Sequence, residues 1–170
     1  MCKIVFVVDI DGTVCDSIGR VVEMTGSKRP EEEGIWTDEI MKEFLKKENI
    51  MSDKVLPGSE IIFKMRDVME ADMIFLTGRS EFARDSTRLW LKKKLKIDDA
   101  IPLFMRPFDE RKGFTALCKE KMFLDNVYKK GTKYIFFEDD VETGRKYSKF
   151  GLVLKSPECW KILNEIYGDE

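Results

Sequence analysis

Two carboxylates stand one residue apart at Asp9 and Asp11, directly after the apolar run Val5-Phe6-Val7-Val8 and directly before Gly12-Thr13. Such a run reads as a buried strand, and a strand that ends in acids presents them at the sheet edge where α/β folds bind ligands. Side chains alternate along a strand, so Asp9 and Asp11 can share one crevice while Ile10 faces away. Acids this close repel each other, and they call for a cation or for different tasks. An EF-hand loop does not fit, because Thr13 and Arg20 occupy the positions where that loop takes Asp or Asn and Glu. The plain alternative is a strand turn with solvated acids.

The elements that must position these acids follow from periodicity. Apolar runs at 3–8, 71–76, 101–105, 133–137 and 151–154 are candidate strands. Helical spacing fills 59–69, 80–95, 110–127, 142–150 and 157–167. This alternation predicts a parallel sheet with helices on both faces. The other strands end in Leu76-Thr77-Gly78-Arg79, Met105-Arg106-Pro107 and Phe137-Glu138-Asp139-Asp140. In a parallel sheet all of these ends share one edge with Asp9 and Asp11. Acids gathered there imply a divalent cation with oxygen ligands, best Mg²⁺, and arginines beside a hydroxyl imply a bound phosphate. Metal, phosphate and a spare carboxylate describe phosphoryl transfer through an aspartyl-phosphate.

The gap after the first strand is long. It holds the loop-like Thr25-Gly26-Ser27-Lys28-Arg29-Pro30, three glutamates, and an amphipathic helix expected over 37–49. Thr37 would cap that helix, with Ile40, Met41, Phe44 and Leu45 on one face. Residues 16–56 therefore read as a small insertion over the active face of a single 1–170 domain.

Composition sets outer limits. The 170 residues are 43% hydrophobic and 36% charged, which fits one globular domain with a real core. Thirty basic and 32 acidic residues give a formal charge of −2, so the chain is not strongly basic. It contains no histidine, which excludes histidine triads, histidine metal sites and imidazole bases. Four cysteines at 2, 15, 118 and 159 form no CxxC pair, and no signal-peptide run follows Met1. No apolar stretch approaches the ~20 residues needed to cross a bilayer. A reduced, cytoplasmic chain without a membrane partner is the expectation, with the oligomeric state open.

The residues resemble the haloacid dehalogenase-like (HAD) phosphohydrolases over nearly the whole chain. Asp9-Ile10-Asp11-Gly12-Thr13 matches the family's DxDG[TV], Thr77 its second motif, Lys119 its lysine, and Glu138-Asp139-Asp140 its closing acids. The resemblance implies a three-layer Rossmann-like α/β core with sheet order 5-4-1-2-3 and a cap after the first strand. It implies that Asp9 attacks phosphorus, and that Asp11 protonates the leaving oxygen and then deprotonates water. Mg²⁺ would be held by Asp9, the main-chain carbonyl of Asp11, and Asp139. Thr77, Gly78 and Lys119 would hold the phosphoryl oxygens, with Glu138 and Asp140 as supports. A narrower likeness, to polynucleotide kinase 3′-phosphatases, rests on Thr77-Gly78-Arg79, on Arg84 to Leu91, and on Arg106 or Arg111 after the third strand. It implies substrate contacts from Arg79 and Arg106 and a phosphorylated nucleic-acid end as substrate. No GxxxxGK[ST] loop is present in these residues, so a P-loop kinase half is not expected within them.

Several readings stay open at this level. Thr77 can cap a helix after Gly78, and Arg79 can be a surface partner of Glu81. Lys121 rivals Lys119, and Asp140 rivals Asp139. The basic run at 92–96 can be a solvated face or, with Arg79, Arg84 and Arg88, a track for a nucleic-acid backbone. Trp36 and Phe44 can stack on a base or pack within the insertion, and Cys15 reads as a packing residue. Beyond a 3′-phosphatase, the chain can be a nucleotidase or other small-molecule phosphatase, or a phosphate-binding protein without turnover.

Overall fold

A computed structural model describes residues 3–27, 35, 37–107 and 115–168. The chain runs β1 (Ile4–Val8), β2 (Cys15–Asp16), α1 (Ile18–Thr25), α2 (Asp38–Phe44), α3 (Lys47–Ser52), β3 (Lys54–Val55), α4 (Ile61–Val68) and β4 (Asp72–Ser80). A 3-10 turn at Glu81–Ala83 leads into α5 (Arg84–Lys94), β5 (Leu103–Arg106), α6 (Thr115–Asn126), β6 (Lys133–Glu138), α7 (Val141–Tyr147), β7 (Gly151–Lys155) and α8 (Glu158–Tyr167).

The five apolar runs form one parallel sheet in the order β5-β4-β1-β6-β7. Counted as the five expected strands, this is the 5-4-1-2-3 order. Alternation divides the buried side chains between two layers. Phe6, Val8, Phe75 and Phe137 pack with Trp90 of α5 and Trp160 of α8. Val5, Val7, Leu76 and Phe136 pack on the other face with Phe123 of α6 and Tyr147 of α7. Both faces are covered, so the central strands are continuously apolar rather than alternating.

The segment between β1 and β4 differs from expectation in detail. The helix expected over 37–49 is two helices, although Thr37 does cap the first by accepting from the Ile40 N–H at 3.2 Å. The break has a packing cause. Phe44, Leu45 and Ile50 are all buried, and five residues from 45 to 50 do not return to the same face of one helix. α1 was not expected, because its Ser17 makes no side-chain cap and its one buried residue is Arg20. β2 and β3 pair antiparallel, so the segment leaves and rejoins the core side by side. β4 runs beyond the expected Leu76 to Ser80, with a register shift between Thr77 and Ser80 against β5.

Candidate active site

β1 delivers Asp9 to the sheet edge, where its N–H donates to the Phe137 carbonyl of β6 at 3.0 Å. The chain then turns tightly, and the Ile10 carbonyl accepts from the N–H groups of Thr13, Val14 and Cys15. Gly12 occupies the left-handed region at φ +75, and a Cβ there would lie 2.1 Å from Asp139 Oδ2. Only glycine lets the β1 loop come this close to the acids after β6.

Asp9, Glu138 and Asp139 each place a carboxylate oxygen within 4.8 Å of the others. Lys119 reaches them from α6, with Nζ 2.9 Å from Asp9 Oδ1 and 3.1 and 3.0 Å from the two Glu138 oxygens. The lysine is buried, whereas Lys121 is exposed. Asp140 stays outside the cluster, where its carboxylate caps α7 by accepting from the Thr143 N–H at 2.6 Å. Thr77 is buried two residues past Phe75, which pairs with Val8, so it stands on the same edge. Its hydroxyl accepts from the Arg79 N–H at 3.2 Å, and it caps no helix. Ser80 instead accepts from the Phe82 N–H at the start of the 3-10 turn.

The cluster is electrostatically incomplete. Burial and the neighbouring Asp9 charge push Asp139 up to about 7. Burial also raises Asp9 and Glu138 against the pull of Lys119. Burial alone would lower Lys119, but Asp9 and Glu138 hold it well above its ordinary value. Three crowded carboxyls facing one ammonium would accommodate a hard divalent cation, and an all-oxygen donor set would suit Mg²⁺. Asp9 and Asp139 could hold such an ion, whereas both Glu138 oxygens are engaged by Lys119.

Asp11 has a different environment. Arg79 donates from Nε to Asp11 Oδ2 at 2.8 Å and from Nη2 to Asp11 Oδ1 at 2.6 Å. Burial would raise the Asp11 carboxyl, but the guanidinium overrides it and holds it below the usual carboxylate range. Arg79 is 3% exposed and paired with Asp11, so it is not a surface partner of Glu81. Arg20 and Asp53 complete the surroundings, and the sequence reading missed both. Asp53 lies 42 positions from Asp11, within the insertion, and no local motif announces it. Asp11, Cys15 and Asp53 also lie close enough to suggest a metal site, but Arg20 and Arg79 already fill the space with positive charge. Cys15 is fully buried, and burial followed by the Asp11 charge pushes its thiol far up, so it is not a nucleophile.

Arg106 stands at the end of β5 and donates to the Gly78 carbonyl at 3.1 Å. Arg84 binds Glu81 and the Leu103 carbonyl, Arg88 the Ile101 carbonyl, and Lys92 Asp99. Lys92, Lys93, Lys94 and Lys96 are exposed, so this run forms a solvated basic face. Phe44 is buried beneath the Arg20 guanidinium, 3.6 Å from ring centroid to Cζ, and cannot stack on a base. Trp36 and Arg111 lie outside the described residues. A cavity of about 530 Å³ opens elsewhere, at the amino ends of the strands beside Lys3, Asp72, Pro102 and Thr132, and touches none of these acids.

No family model and no curated protein matches the sequence. Solved structures do. A chain of the Pnkp1/Rnl/Hen1 RNA repair complex superposes with a TM-score of 0.60 at 16% identity, over 91% of this chain and 44% of that one. A haloacid dehalogenase-like hydrolase from Streptococcus pneumoniae gives 0.59 at 12% identity, over 91% and 84%. A class C acid phosphatase from Bacillus anthracis gives 0.57 at 15% identity, over 98% and 73%. The fold is that of the HAD-like hydrolases. The chain spans less than half the length of the RNA-repair chain it resembles. In this HAD-like frame the acids lie at the carboxyl ends of β1 and β6, with the 16–56 segment attached beside them through β2 and β3.

Proposed function

We propose that the chain is a Mg²⁺-dependent phosphomonoester hydrolase acting through an aspartyl-phosphate on Asp9. The observation that carries this reading is the placement of Asp9, a buried carboxylate on a strand end, between Lys119 and a second strand's acids. Mg²⁺ held by Asp9 and Asp139 would offset the negative charge that otherwise repels an incoming phosphate. An Asp9 oxygen forms the bond to phosphorus as the bond to the leaving oxygen breaks. Lys119, with Thr77 and the Gly78 main chain, faces the phosphoryl oxygens. Asp11 gives its proton to the leaving oxygen, then takes one from the water that frees Asp9 and releases inorganic phosphate. The Arg79 pair favours the ionised Asp11 needed in the second step, and an approaching phosphate dianion favours the protonated form needed in the first.

For the substrate we propose a phosphorylated nucleic-acid end, first a 3′-phosphate, on the basis of the Thr77-Gly78-Arg79 element and the likeness to an RNA-repair chain. The 16–56 segment acts as a small cap. One observation favours a nucleotidase as the second reading: Arg84 and Arg88 donate to main-chain carbonyls and Lys92 to Asp99, so these three cations are engaged within the chain itself. A single panel tests both. Phosphate release is measured with Mg²⁺ from oligonucleotides phosphorylated at either end, from mononucleotides and from sugar phosphates. Preference for the 3′-phosphorylated oligonucleotide supports the first substrate and preference for mononucleotides the second. No release from any of them refutes the hydrolase.

A further inference from the structure

Behind Asp11 stands a chain of buried ions that phosphoryl transfer does not itself demand. The Arg79 nitrogen that holds Asp11 Oδ1 also lies 3.4 Å from Asp53 Oδ2. Asp53 is gripped by Arg20 of α1, Nε to Oδ1 at 2.8 Å and Nη2 to Oδ2 at 2.6 Å, and its main-chain carbonyl accepts from Trp90 Nε1 at 3.1 Å. Arg20 in turn donates to the Phe44 carbonyl at the end of α2. Side-chain exposure is 6% for Arg20, 1% for Asp53, 1% for Arg79 and 30% for Asp11. One end of the chain is thus sealed inside the insertion, and the other is the single member facing the sheet edge. Two guanidiniums balance two carboxylates. A planar guanidinium held on two sides cannot turn without breaking a paired contact.

We propose that Asp53 is a positioning residue for Asp11. Pinned by Arg20, it fixes the Arg79 fork and so the direction from which the Asp11 carboxyl meets the leaving oxygen and the incoming water. The insertion is then part of the reactive geometry as well as a cover.

The inference rests on the phosphatase reading, and the two fail separately. Wild-type protein that releases no phosphate from phenyl phosphate or 2,4-dinitrophenyl phosphate with Mg²⁺ overturns that reading and this inference with it. In active protein, Asp53→Asn is compared on the same two esters. Phenolate leaves poorly without a proton, whereas dinitrophenolate leaves without one. Misplacing Asp11 should lower kcat/KM about 100-fold for phenyl phosphate and less than about fivefold for the dinitrophenyl ester. Water attack still needs Asp11, so the dinitrophenyl ester should give a burst of dinitrophenolate followed by slow turnover. Equal losses on the two esters, or no loss on either, overturn the proposal. If Asp53→Asn lacks a cooperative thermal transition, Arg20→Lys carries the test, because it keeps the charge but surrenders the two-nitrogen grip. The same split is expected, and the same equal loss overturns it.

Discussion

At the scale of the residue, Asp9 and Asp11 show how far two neighbouring acids can be driven apart by their surroundings. Asp9 is buried against an ammonium and two further acids, while Asp11 is clasped by a guanidinium and partly faces water. Asp9→Asn keeps the shape of the side chain but removes its nucleophilicity, so phosphate release should fall by at least about 10⁴-fold with the fold intact by circular dichroism. The acids after β6 divide in the same way. Asp139→Ala should abolish Mg²⁺-dependent turnover. Asp140→Ala should cost about 1 kcal/mol of stability through the lost cap, read from a urea unfolding midpoint, while Mg²⁺ dependence persists. Counting back from Gly151, the sequence favours Asp139 over Asp140 for the metal, and the structure adds that Asp140 turns away to cap α7. Lys119 was legible through its motif and its adjoining apolar residues. Asp53 and Arg20 were not, because an ion pair between residues 33 positions apart leaves no periodic trace.

At the scale of the element, the strands and their order follow from residue patterning, since five apolar runs separated by helical periods admit few topologies. The insertion was harder to read, because its helices are short and its burial is partly ionic. Two contacts between elements carry predictions. Gly12→Ala must place a Cβ against Asp139 and adopt a left-handed backbone, which costs roughly 1–2 kcal/mol before any clash. It should lower turnover more than it lowers the unfolding midpoint, because the displaced group is Asp139. Trp90 of α5 is fully buried and donates to the Asp53 carbonyl. Trp90→Phe leaves that carbonyl unpaired and should cost about 1–3 kcal/mol, measured by chemical denaturation.

At the scale of the whole molecule, the crowded acids of β1 and β6 are a stability liability that a bound cation would relieve. Ligand that binds only the folded chain stabilises it by mass action, about 2.7 kcal/mol at a hundredfold excess over Kd. Mg²⁺ should therefore raise the thermal midpoint, and Asp139→Ala should erase the shift. EDTA should stop turnover while leaving a cooperative transition. Among the described residues no helix is long and apolar enough to cross a membrane. The two-residue β2–β3 ladder has one more consequence. Its partners Cys15 and Val55, and Asp16 and Lys54, hold both ends of the intervening stretch about one strand spacing, ~5 Å, apart. That stretch is a closed excursion whose entrance does not depend on its length. Nature or an engineer can exchange its middle like a tool in a chuck, provided the replacement still supplies an arginine and an aspartate at the jaws.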